Sequence, residues 1–359
     1  MKLKALLLAT AGVAVAGSAS AADLPVVAEP VDYVQVCDAY GAGFFKIPGK
    51  DTCLKIGGRV RAQFVTDNLN SDVDYTDNSS YVRGYLYLTS MTDTEIGLIK
   101  TVTEFQSEWE QDANGNSKVD DAYIQFATHY GDFLIGRTTS QFDTFTGATD
   151  LGIVTRNFSD ASVLQVAYNK SLGNGLTASL SLEDSSYRAG GANEYDVVGG
   201  LKLSQGWGFA RVVGAYHQID DIAATDEQDG YAVAGTLGIN LDMLAAGDKI
   251  VFAATYADAA SSYVNAENVT WDRLGYDAYS VGAGFTHYFT PELAASVDGS
   301  YLSVEDANDY TRAAVTTSLG WYPVSGLVIA GEFGWASEDD DVATYDDEYL
   351  LGTRIQYTF

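Results

Sequence analysis

The sequence predicts an all-β fold, a transmembrane antiparallel barrel of about 16 strands, and three observations predict it. The chain ends on a strand that alternates apolar and polar residues and stops at Phe359. About 16 segments of roughly ten residues show the same alternation. The connections between them alternate short and long, which a soluble sandwich has no reason to do.

In the closing strand, Leu351, Ile355, Tyr357 and Phe359 share one face, with Thr353 between them. Gly352, Arg354, Gln356 and Thr358 share the other. A soluble protein seldom ends on an exposed Phe. A barrel's last strand faces lipid on one side and water on the other.

The elements follow in chain order. Met1-Lys2-Leu3-Lys4 is basic, Ala5 to Gly17 is apolar, and Ala19-Ser20-Ala21 fits a small-x-small cleavage site. Residues 1–22 therefore read as a secretory signal peptide. The apolar run falls short of the about 20 residues a membrane helix needs. Residues 23–52 form an N-terminal, periplasmic-side segment that lines the periplasmic mouth or enters the lumen. Residues 53–359 form the barrel. The chain has two cysteines, Cys37 and Cys53, and export favours a disulfide between them. The intervening Gly41, Gly43, Pro48 and Gly49 let the chain turn back.

The first strand spans 53–66, with Leu54, Ile56, Val60 and Phe64 opposed to Lys55, Arg59, Arg61 and Gln63. The second spans 81–90, with Leu86 and Leu88 opposed to Arg83, Tyr85 and Tyr87. Segments 96–106, 119–128 and 133–141 follow. In the last of these Phe133 and Ile135 fall with Arg137, which argues for a bulge or an inward apolar patch. Segments 162–169, 176–183, 196–203, 209–218, 231–241, 249–257, 278–289, 293–304, 312–322, 327–337 and 349–359 complete the set. No proline lies between Pro48 and Pro291, which suits continuous pairing, and Pro291 and Pro323 fall in short breaks.

Short turns on one rim are periplasmic and long loops on the other are extracellular. The long loops are acidic, as at Asp72, Asp74 and Asp77 and at Glu338-Asp339-Asp340-Asp341. Tyr130, Trp207, His287, Tyr288, Phe289, Trp321, Tyr322 and Phe359 fall beside short turns, where an aromatic belt belongs.

Composition agrees. The hydrophobic share is 47% across 359 residues, yet mean hydropathy is −0.04, so apolar and polar residues interleave. The formal charge of −29 excludes nucleic acid as a partner. His129, His217 and His287 lack metal-ligand spacing, and no phosphate loop or nucleophile elbow occurs. No cofactor, metal site or catalytic set is expected. Asp112-Ala113-Asn114-Gly115-Asn116 and Asp72-Val73-Asp74 do not complete a calcium loop.

A barrel of this size leaves an aqueous lumen. Arg59, Arg61, Arg83, Arg137 and Arg211 lie at mid-strand, where facing lipid would cost about 2–4 kcal/mol each, so they are expected inside. The loop 142–161 carries apolar anchors Phe142, Phe145, Leu151 and Ile153 together with Asp143, Asp150 and Asp160. Folded inward, it sets Asp143 and Asp150 against the arginines as a charged constriction. The expected function is passive, weakly selective diffusion with modest cation preference. A barrel with a dedicated solute site, or one with adhesive acidic loops, is the alternative.

The stretch from Val31 to Phe45, with Ile47-Pro48-Gly49, Asp51 to Gly58 and Val60-Arg61, resembles the alphaproteobacterial general porin family. Asp93 to Gly97, Phe133-Leu134-Ile135-Gly136-Arg137 and the terminal Tyr357-x-Phe359 extend the resemblance over the mature chain. It implies a homotrimer of 16-stranded barrels with the third loop folded into each pore. The implied partners are outer-membrane lipid, lipopolysaccharide, small hydrophilic solutes and ions. Tyr357 and Phe359 resemble the signal read by the outer-membrane assembly machinery.

Overall fold

A sheet with lipid outside and water inside changes side-chain character at every residue, and that alternation organises this molecule. The computed structural model describes residues 35–66, 68–69, 78–110, 115–143, 145, 147–188, 190–191, 193–219, 229–265, 271–272, 274–305, 309–340 and 347–359. The expected signal peptide, Asp72, Asp74, Asp77 and Asp341 lie outside these residues.

Two short strands come first, β1 (Gln35–Val36) and β2 (Phe44–Lys46). The barrel begins with β3 (Thr52–Val65), β4 (Ser79–Thr94), β5 (Gly97–Glu110), β6 (Asn116–Thr128) and β7 (Gly131–Thr139). It continues through β8 (Ser162–Gly173), β9 (Leu176–Asp184), β10 (Tyr195–Gln205), β11 (Gly208–Gln218), β12 (Asp229–Asn240) and β13 (Lys249–Asp258). The last strands are β14 (Asp277–Thr290), β15 (Leu293–Val304), β16 (Thr311–Trp321), β17 (Leu327–Asp339) and β18 (Glu348–Thr358). From β3 onward each strand pairs antiparallel with the next, and β18 pairs with β3. Sixteen strands thus close into a barrel, as the alternation predicted.

The faces sort as expected. In β18, Leu351, Ile355 and Tyr357 are exposed on the outside, while Arg354 and Gly352 are buried within. In β3, Ile56, Val60 and Phe64 point outward. Phe133 and Ile135 of β7 also point outward, so no apolar patch forms inside. The irregularity belongs to the neighbouring β6, where two residues, Asp120 and Asp121, oppose the single Glu104 of β5.

Turn chemistry fixes the short rim. Between β8 and β9, Asn174 and Gly175 have φ of 50° and 77°, the left-handed pair that suits a tight hairpin. Near this rim Tyr130, Trp207, Phe289, Trp321 and Phe359 are exposed to the membrane interface. On the opposite rim, Tyr195, Tyr216, Tyr231, Tyr256, Tyr279 and Tyr301 form a second girdle on six consecutive strands.

The N-terminal segment covers a gap at the seam. β18 ends where Phe359 and Gly58 exchange backbone hydrogen bonds of 2.9 and 3.0 Å. Below that point β2 takes over the edge of β3, pairing Phe44 with Lys55 and Lys46 with Cys53. An open strand edge would otherwise be exposed there. The Cys37–Cys53 disulfide ties this hairpin to β3 over a sequence separation of 16. Cys37, Phe44 and Cys53 form a small buried cluster beside Tyr40 and Met91.

Candidate functional site

The lumen is narrowed by the connection between β7 and β8, residues 140–161, called here the inner loop. Its apolar side chains explain why it folds inward. Phe142, Phe145, Leu151, Val154 and Phe158 are all buried, and Phe145 meets Phe158 edge-on at 5.1 Å.

The loop lies along the wall formed by β14 to β18. Inward-facing glycines leave room for it. A Cβ on Gly282 would come within 2.2 Å of Phe158, and one on Gly334 within 2.4 Å of Val154. At Gly352 the approach to Ile153 would be 2.6 Å. Such contacts exclude any side chain, so these glycines form the groove that receives the loop.

Charged wall residues bond the loop backbone. Asp298 of β15 accepts from the Ala148 and Thr149 amides at 2.8 and 3.0 Å, and pairs with Arg156. Glu332 of β17 accepts from the Leu151 and Ile153 amides at 2.7 and 3.0 Å. Arg354 of β18 donates to the carbonyls of Asp150 and Leu151. Arg312 of β16 donates to the Thr155 carbonyl and to Asn157. Unpaired backbone groups are costly when buried, and these bonds answer that cost.

Both loop acids expected at the constriction take part in this seating. The Asp143 carboxylate is fully buried, bonded by Arg188 at 3.0 and 3.1 Å and by the Ala161 amide. Asp150 accepts from the Tyr322 hydroxyl at 2.7 Å and from Ser318. Asp160 is the exposed acid of the loop. Although its surface reaches water, the protein around it partly desolvates the carboxylate, and this, followed by the nearby Asp143 charge, raises its pKa above the ordinary carboxylate value.

Arg211 stands at the root of the loop and donates to the carbonyls of Gln141 and Asp143. Arg137 shares a row with the outward-facing Ala122 and Leu164, so the register does not give it the inward place expected from the sequence; it donates to the Asp120 carbonyl, and the Asp120 carboxylate lies 3.7 Å away. Neither joins the other three arginines.

Arg59, Arg61 and Arg83 do come together, on the wall formed by β3 and β4. Arg61 lies directly opposite Arg83, and Arg59 opposite Tyr85. The Arg59 guanidinium stacks 3.8 Å from the Tyr85 ring centre, and that of Arg83 lies 4.9 Å from Tyr81. Opposed like charges destabilise a sheet. Here Glu108 pairs with Arg83, Gln356 accepts from Arg61 at 2.9 Å, and the tyrosine faces attract all three cations.

A second inward loop joins β13 to β14. Its turn Ser261–Val264 is buried, and Tyr263 meets Phe142 of the inner loop at 4.6 Å. The Tyr263 hydroxyl donates to Asp196 at 2.6 Å, and His217 sits between Asp196 and Asp272. The Arg188 guanidinium stacks on Tyr263 at 4.1 Å. One buried polar network therefore fixes both loops to the wall.

Several of these residues escaped the sequence reading. Asp298 and Glu332 lie on the inward parity of β15 and β17, and that parity was a usable signal. Asp120 and Asp121 are adjacent, so no alternation rule places both inside without the bulge.

Comparison with known proteins agrees with this architecture. The family profile described as "Porin subfamily" matches residues 23–355. Porin Omp2b of Brucella suis biovar 1 is 30% identical, over 93% of this chain and 92% of its own length. The outer membrane channel DcaP of Acinetobacter baumannii superposes with a TM-score of 0.72 at 17% identity, covering 88% of this chain and 99% of that one. A trimer form of OmpT from Vibrio cholerae gives a TM-score of 0.60 at 12% identity, over 86% and 100% of the two chains.

Proposed function

This chain belongs to the porin subfamily, and from that premise we propose that a loop-narrowed, charged constriction makes its channel weakly selective. The protein itself is an outer-membrane β-barrel channel for passive diffusion of solutes, and a channel rather than an enzyme. One observation carries the proposal. The inner loop is seated along β14 to β18, and at Asp150 and Leu151 it reaches Arg354, which also bonds Gln63 of β3, beside the stacked Arg59, Arg61 and Arg83 on β3 and β4. Fixed charges beside a narrowed passage orient polar solutes and sort ions. Solutes pass between the loop and the arginine wall.

Arg211, Asp143 and Asp150 act in this reading by holding the loop, and Arg137 acts through Asp120. Residues 1–22 are the export signal. The barrels assemble as homotrimers, their tyrosine girdle meeting lipopolysaccharide. Tyr357 and Phe359 address the chain to the assembly machinery. The fold shared with the trimeric OmpT form supports the trimer.

Planar-bilayer recording of the purified protein tests the channel. Large ohmic steps are expected. A folded barrel that never conducts would refute it. Replacing Arg59, Arg61 and Arg83 by glutamine should shift the reversal potential in a KCl gradient toward the potassium equilibrium potential. An unchanged value would remove the arginines from the constriction.

A further inference from the structure

On the porin reading above, the constriction has a basic side, while its two expected loop acids, Asp143 and Asp150, are bonded into the loop's seat. The wall supplies other acids. Val119 lies opposite Phe105 on the outward face, and Ala122 opposite Thr103 is also outward. Between these outward residues the bulge inserts Asp120 and Asp121 together. A bulge re-aims side chains in this way, and both turn to the lumen here. Opposite them is Glu104, on the lumen-facing parity of β5 and next to Tyr87 of β4.

Their charges act within one neighbourhood. Glu104 feels Asp120, Asp121 and Arg59, and Asp160 of the inner loop feels Asp120. Lys118 and Arg137 approach Asp120 at 3.6 and 3.7 Å. Glu104 and Asp121 form no ion pair among the described residues. Three carboxylates placed together repel one another, so stability alone does not account for them.

The register sets the geometry. Arg59, Tyr85 and Gln106 occupy one row across β3, β4 and β5. Gly57, Tyr87 and Glu104 occupy a row two residues nearer the periplasm. Strands lie about 4.8 Å apart, so the positive side on β3 and the negative side on β5 are about 10 Å apart on a single wall. Tyr85 and Tyr87 stand between them. The two poles are adjacent rather than on opposite sides of the lumen.

We propose that Glu104, Asp120 and Asp121 are specificity-determining residues of the pore. With Arg59, Arg61 and Arg83 they favour zwitterionic solutes, which cross with the cationic end along β5 and β6 and the anionic end along β3 and β4. The inner loop then acts as a barrier that presses solutes against this wall. Asp160 adds to the negative pole without creating it.

The test uses the full-length protein in planar bilayers under a KCl gradient. It is paired with liposome swelling in γ-aminobutyric acid, a zwitterion, and in erythritol, an uncharged solute of similar size. Glu104→Gln should move the reversal potential toward the chloride equilibrium potential. The combination with Asp120→Asn and Asp121→Asn should move it further. Swelling in γ-aminobutyric acid relative to erythritol should fall in the same order. Because Glu104→Gln leaves the Arg137–Asp120 contact in place, it reads selectivity even if the combined variant folds poorly. Wild-type reversal potential and swelling ratio in Glu104→Gln would overturn the proposal. So would a full shift produced by Asp160→Asn alone. A wild-type protein without conductance would overturn the porin reading, and this assignment with it.

Discussion

Replacing Glu332 by alanine removes the acceptor that holds the middle of the inner loop. The carboxylate is 3% exposed and accepts from the Leu151 and Ile153 amides at 2.7 and 3.0 Å. Hydrogen bonds to a charged group contribute about 1.5–3 kcal/mol each, so the seated loop loses roughly 3–6 kcal/mol. Every 1.4 kcal/mol is about tenfold in an equilibrium, so the lower bound lowers the seated-to-released ratio by roughly 100-fold. Arg354 keeps its bonds to the Asp150 and Leu151 carbonyls, so the loop should detach in part and not along its full length. Single-channel recording should then show larger open-state noise and brief excursions to higher conductance. Limited proteolysis should cut within 147–156 in the variant but not in the wild type. Glu332→Gln keeps one acceptor oxygen and should fall between the two. Unchanged noise, step size and protease resistance in Glu332→Ala would refute the view that this carboxylate seats the loop.

Three further outcomes are expected. Gly334→Leu puts a side chain where a Cβ alone comes within 2.4 Å of Val154, so it should displace the loop and reproduce the noise of Glu332→Ala; a quiet channel would count against the glycine groove. Replacing Cys37 and Cys53 by serine removes a loop constraint worth about 3 kcal/mol in the chain-entropy model. Heat-modified gel mobility should show unfolding at lower temperature with conductance retained, and an unchanged midpoint would contradict this. Asp160 has a raised pKa, so as pH falls it becomes neutral before an ordinary carboxylate does. Reversal potentials should begin shifting toward the chloride equilibrium potential above the usual carboxylate range, and Asp160→Asn should weaken that early phase. A profile identical to wild type would sink the assignment.

The strands were legible because one physical demand, lipid on one side and water on the other, acts at every second residue. The closing strand shows it, from Leu351 to Tyr357. Arg59, Arg61 and Arg83 were legible for the same reason. Parity reports facing, however, and not what lies across the lumen. It marks Glu332 and Arg354 as inward without revealing that a loop more than 170 residues earlier in sequence rests on them. It also made Asp143 a candidate for the pore, although the Arg188 that buries it comes from a separate loop. The Asp120-Asp121 bulge is a local break in the rule that facing arguments depend on. The inward turn at Ser261–Val264 had a visible cue in the small and apolar residues from Ala259 to Val264, but its burial depends on Asp196 and Arg188.

The seam between β3 and β18 makes the barrel a ring with one nick. Arg61 and Gln356, bonded across it, are 295 residues apart in sequence. Closure entropy grows only slowly with loop length, about 0.6 kcal/mol per doubling, so the distance is affordable at equilibrium. It weighs on the order of events instead, because contacts of such high separation form late. β3 leaves the export pathway early and waits for the final strand. Until β18 arrives, every partial barrel carries two free edges, and a chain cut short before Gly352 never acquires its closing ladder. The nick itself is arbitrary. Since Phe359 and Gly58 already touch, a chain joined there and opened at an extracellular loop gives up residues 1–57 with their hairpin and disulfide but keeps sixteen strands paired in a ring, with a different strand arriving last.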